Sequence, residues 1–167
     1  MKHYVESIFI IITLPFITTF IFYEILSVVM KLITQKNMTP RILLAFLWAG
    51  ILIAHTISVF LYALVYWYLV RFFHYLPLEG VDVQGFFSYL YYSAVTYASL
   101  GLGDIYARGM LRLISSIEVV NGLTLISWSA MFTYFSVQKM WEVHGLPLHI
   151  DCKTTKKRKK SKTLEKN

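Results

Sequence analysis

Charge is the scarcest property of this chain. Asp and Glu together number 9 against 16 Lys and Arg in 167 residues, and charged side chains of both signs make up only 15%. An ordinary soluble domain carries about 25%. Cysteine is almost missing. The lone Cys152 excludes an intrachain disulfide framework, and no metal-ligand spacing surrounds it, so it reads as an inert thiol. There is no regular run of arginines, no nucleotide-binding motif and no EF-hand loop. What fills the chain instead is apolar: 57% of it is hydrophobic and its mean hydropathy is positive. That balance excludes a soluble globular domain and implies a membrane protein.

Taken in order, residues 7–30 form an apolar run longer than the ~20 residues a spanning helix needs. No small-residue cleavage site follows it, so it reads as a retained first transmembrane helix, kinked at Pro15. Residues 31–41 are a polar connector with basic residues and no acidic one; Thr39 and Pro40 there signal a helix start, threonine as cap and proline in the first turn. A second span over 42–70 follows, with Tyr62, Tyr66, Trp67 and Tyr68 expected as an interface belt near its end. Residues 74–84, containing Pro77 and Gly80, read as a loop. A third span over 113–137 comes after a short turn at 105–110. The tail after Trp141 is strongly basic, with a run at 156–160. Clustered Lys and Arg beside a span stay on the cytoplasmic side. Three crossings then put the connector inside as well, and the amino terminus and the 86–105 stretch outside.

That stretch, FFSYLYYSAVTYASLGLGDI, is helix-length, aromatic, and ends in Gly101-Leu102-Gly103-Asp104. Two glycines one residue apart let the backbone alternate in handedness, so that carbonyls line up as a ladder. Non-helical backbone at membrane depth is tolerated only where it is buried in protein or lines a water-filled path. The stretch resembles the pore helix and selectivity filter of the tetrameric potassium channels, whose filter reads Thr-Val-Gly-Tyr-Gly-Asp. Position by position, Ser99 stands for the threonine, Leu100 for the valine, Gly101 and Gly103 for the glycines and Asp104 for the aspartate. Leu102 stands where that family has tyrosine. Tyr91 and Tyr92 fall where many members have paired aromatics bracing the filter, and Gly122 falls at the inner-helix hinge. The similarity extends to Trp141.

The resemblance implies an all-α membrane protein of three transmembrane helices plus a re-entrant pore helix and filter loop. Its parts are an N-terminal helix and connector over 1–40, a pore domain over 41–142 and a basic cytoplasmic tail over 143–167. It further implies a multi-pass plasma-membrane channel, a homotetramer that conducts potassium passively through backbone carbonyls of residues 99–103 and the Ser99 hydroxyl. Potassium at the filter is then the only metal, and no cofactor is needed. A sodium-permeable or non-selective cation channel is the alternative, because leucine at 102 keeps the backbone but loses the hydroxyl tether. A non-conducting accessory subunit is a further one. Leu123, Ile126 and Ala130, spaced along one helix face with Gly122, are expected to face the axis as an apolar cavity.

Glu24, His55 and Glu118 lie inside spans, where ionisable groups mark either function or a hidden partner. Glu24 reads as a structural contact or a snorkelling group, and His55 as a neutral histidine hydrogen-bonded between helices. Glu118 sits at filter depth, ~12 Å into the inner helix. The pore-helix position where some relatives place a supporting glutamate is Val95 here. Glu118 is therefore a candidate to brace the filter through Ser93, Thr96 or Tyr97, against an ordinary interhelical bond or a lipid-side snorkel. Glu118→Gln, which keeps the shape and fixes the uncharged form, is expected to alter open probability or its pH dependence.

Gly-Leu-Gly-Asp also occurs in intramembrane aspartyl proteases, but that chemistry needs two aspartates sharing a proton. Asp82 and Asp151 fall in a loop and the tail, so the protease reading fails and no enzyme is expected. The basic tail reads as a solvated anchor, with anionic lipid headgroups as its functional alternative. It has no aromatic after Trp141 to stack a base, so nucleic acid is not expected as a partner.

Overall fold

Each apolar stretch is a helix, and the short aromatic one lies between the last two. The computed structural model describes residues 2–33, 39–73, 76–81, 83 and 85–143. In chain order the elements are α1 (Lys2–Ile33), α2 (Pro40–Phe72), β1 (Glu79–Gly80), α3 (Gly85–Tyr97), β2 (Ile105–Tyr106) and α4 (Leu111–Val143). Segments Ile8–Lys31, Arg41–Phe72 and Leu111–Glu142 are long and apolar enough to cross a bilayer. Helix α3 has 13 residues, about 20 Å of rise, too short to cross. The protein is thus an all-α membrane protein with three transmembrane helices and one re-entrant helix. The basic tail, Cys152, Asp82, Asp151 and residues 34–38 of the connector lie outside the described residues.

The two helix connections differ in detail from the sequence expectation. Thr39 does start α2, with Pro40 in its first turn, but its hydroxyl makes no cap bond. Its carbonyl accepts the Ile42 and Leu43 amides at 3.0 and 3.2 Å instead. The fixed φ of proline sets the start, and backbone bonding completes it. The stretch at 105–110 is more than a turn, because β2 pairs antiparallel with β1, Glu79 opposite Tyr106 and Gly80 opposite Ile105. Arg108 bonds Glu79 at 2.9 Å, and the Tyr106 hydroxyl donates to the same carboxylate at 3.2 Å. A two-residue strand has no periodicity by which a sequence could announce it.

Helices α1 and α3 both pack against the α2–α4 pair. One apolar cluster joins Leu14, Tyr62, Tyr66, Leu69, Tyr92 and Ile114. A second, nearer the other ends of the spans, joins Phe22, Val29, Leu47, Ala54, Tyr97 and Leu125. Lipid gives no hydrophobic drive between helices, so close packing and hydrogen bonds must hold them together. The hydroxyls of Ser58, Ser115, Thr124 and Ser127 each donate to the carbonyl four residues earlier, which satisfies these donors within their own helices. Tyr62 and Tyr66 are not belt residues: both are fully buried, whereas Trp67 and Tyr68 stay exposed. Positions four apart share a helix face. Here that face turns inward, where buried polar groups await the tyrosine hydroxyls.

Candidate functional site

The site is the loop between α3 and β2, which begins with the way α3 ends. The Leu100 amide donates to the Val95 carbonyl and the Ser99 amide to the Thr96 carbonyl, both at 2.9 Å. With Ser99 at φ 52, this is a Schellman closure whose left-handed position holds serine where glycine is usual. Left-handed backbone then recurs at Gly101, φ 59, and Gly103, φ 77. The alternation covers positions 99, 101 and 103. A Cβ at either glycine would meet open space, so it is the backbone conformation, and not crowding, that calls for glycine there. Leu100 and Leu102 are both exposed. A cavity of about 430 Å³ lies behind the loop, lined by residues including Tyr92, Thr96, Leu102, Ser115 and Val119.

Asp104 closes the loop. The Tyr91 hydroxyl donates to its carboxylate at 2.7 Å, and that bond, helped by the Ile105 amide, holds the Asp104 carboxyl below its ordinary range. The carboxylate in turn pushes the Tyr91 phenol up. On the other side of the loop, the Asp104 carbonyl accepts the Val81 amide at 3.0 Å. The exit of the loop is therefore tied to α3 by a side chain and to the β1 segment by backbone.

Glu118 of α4 is fully buried behind α3. Its two oxygens accept from Ser93 and Tyr66, each at 2.5 Å. Of the three partners expected, only Ser93 is used. Tyr66, on α2, was not foreseen, although tyrosines four apart in an apolar span need buried acceptors. Tyr92 does not reach Asp104. Its hydroxyl lies 2.7 Å from the Ser115 hydroxyl, so the two paired aromatics brace different things, Tyr91 the loop and Tyr92 the inner helix. One polar cluster thus joins α2, α3 and α4 just behind the loop.

Gly122 sits within the unbroken α4. A Cβ there would lie 2.2 Å from the Tyr97 carbonyl oxygen, so the glycine lets α4 touch the end of α3. Leu123 and Ile126 are 47% and 39% exposed, and Ala130 is exposed with them, so among the described residues this face of α4 is left open. His55 bridges Tyr97 and Ser129. Glu24 points outward from α1, and no hydrogen bond or ion pair to it is found among the described residues. Asn121 of α4 donates to Thr18 of α1 at 2.8 Å and to Tyr62 of α2 at 3.1 Å.

A family model described as an ion channel matches residues 54–137, half of the chain. The match runs from the middle of α2 through α3 and the loop into α4, and leaves α1 outside it. Comparison with curated proteins and with solved structures gives no match.

Proposed function

The chain belongs to the ion channel family whose model spans half of it, and from that premise we propose that four copies form a potassium-preferring pore. The observation that carries this reading is the alternation of left-handed backbone at Ser99, Gly101 and Gly103 in a loop closed at both ends. Such alternation turns successive carbonyls toward one side, where they can replace the water around a monovalent cation. One chain offers one oxygen per level. A cation needs several at once, so a fourfold ring of identical loops is the simplest closed assembly. The ion-binding groups are then the carbonyls of residues 99–103 with the Ser99 hydroxyl, and the exposed side chains of Leu100 and Leu102 pack against a neighbouring copy.

Glu118, Tyr91 and Asp104 hold this loop from behind, and the Leu123, Ile126 and Ala130 face lines the path below it. The filter faces the outside, because the basic tail stays in the cytoplasm. The one feature favouring a second reading, sodium or mixed cation passage, is Leu102, which lacks the hydroxyl its potassium-selective relatives have. Purified protein in liposomes tests both. Reversal potentials under opposed potassium and sodium gradients should lie on the potassium side. Equal permeability leaves a cation channel without the selectivity, and no current at all leaves an accessory subunit.

A further inference from the structure

His55 lies in the middle of α2, with the Phe22 ring of α1 4.9 Å from its own. Both its nitrogens are engaged. Nδ1 is 2.9 Å from the Tyr97 hydroxyl, and Nε2 is 3.2 Å from the Ser129 hydroxyl. Ser129 has already committed its proton, donating to the Ile126 carbonyl at 2.8 Å. Its oxygen is then free only to accept, so the proton of a neutral imidazole belongs on Nε2 and the bare Nδ1 accepts from Tyr97. The donors run in one direction, from Tyr97 through His55 and Ser129 to the backbone at Ile126.

Tyr97 is the last residue of α3, two residues before the first filter position. Its carbonyl rests on Gly122, and its hydroxyl reaches Ser129 through His55. Gly122 and Ser129 lie two turns apart on α4, about 10 Å along the axis. The end of the pore helix therefore grips the inner helix at two points, and Leu123 and Ile126 lie between them. Rotation or tilting of this segment cannot occur without either breaking the relay or moving Tyr97.

We propose that His55 is a positioning residue for conduction, a neutral Nε2–H imidazole that locks the inner-helix segment 122–129 to the inner end of the filter. This rests on the channel reading above. The hydrogen bonds lie within one subunit, so they do not depend on how the copies assemble.

Nitrogen-15 spectra of histidine-labelled full-length protein at pH 7, with the His55 signals identified by their loss in His55→Gln, should show a protonated Nε2 and a bare Nδ1. The opposite tautomer or a doubly protonated ring overturns the relay. In planar bilayers, Tyr97→Phe removes one oxygen and no packing, and His55→Leu removes the relay. Each should change open probability by about fivefold, the effect of one hydrogen bond of ordinary strength. The double variant should match the single ones. His55→Gln, with one acceptor and one donor on its amide, should recover part of the wild-type behaviour. Variants indistinguishable from wild type, or effects that add in full, overturn the coupling while leaving the channel intact. Wild-type protein that carries no current overturns the channel reading and the coupling with it, and the spectra then report on the relay alone.

Discussion

At the scale of single residues, the loop is tied at its exit by a side chain of α3. Tyr91 holds the Asp104 carboxyl below its ordinary value of 3.8. A carboxyl lowered in the folded state contributes stability that is present above the ordinary value and lost as pH falls through the lowered one. The tie is therefore intact at neutral and mildly acidic pH. Tyr91→Phe lacks it at every pH, so potassium flux of that variant should differ from wild type at pH 7, the two converging only below 3.8. Leu102→Tyr restores a hydroxyl in the cavity behind the loop. One added hydrogen bond of ~1 kcal/mol should lower sodium relative to potassium permeability by about fivefold, read from reversal potentials. Glu118 accepts from two hydroxyls, and Glu118→Gln leaves one of them facing an amide donor. Thermal unfolding should report a loss of about 1–3 kcal/mol, the cost of one buried group left without its partner.

At the scale of elements, α4 and α3 meet through backbone. With 2.2 Å between a Cβ at position 122 and the Tyr97 carbonyl, Gly122→Ala must push the end of α3 away from α4, because the atoms it meets are backbone and not the far end of a flexible side chain. Overpacking of this kind costs about 1–3 kcal/mol. The variant should keep its helical circular dichroism and lose conduction, since Tyr97 is two residues from the left-handed position at Ser99 that opens the loop; normal currents would show that the two helices have room to separate. Helix α1 belongs to the same packing. It is bonded to α4 through Thr18 and Asn121, so it is held to α4 as well as to α2, although the family match does not reach it.

At the scale of the whole molecule, a single subunit leaves the loop, the cavity behind it and one face of α4 open. Four copies would cover all three. Native mass spectrometry in detergent should give an assembly of four 19.5 kDa chains, and a monomer that conducts would contradict the carbonyl-ring argument.

Hydrophobic length alone determined the three spans, since a bilayer demands ~20 apolar residues whatever the rest of the fold does. The spacing of Gly101 and Gly103 likewise announced an irregular backbone, because few other residues tolerate positive φ. What the sequence left open was which of the candidate partners meet across helices. It offered Ser93, Thr96 and Tyr97 for Glu118, placed Tyr66 in an interface belt, and gave Gly122 no reason to touch Tyr97. Only the tertiary structure decided these, and the cause is geometric. Local periodicity assigns a residue to a face of its own helix, but how far that helix is rotated and how near its neighbour lies depend on packing between segments remote in the chain. The same packing decided that His55, one polar residue in an apolar run, has a partner on each nitrogen.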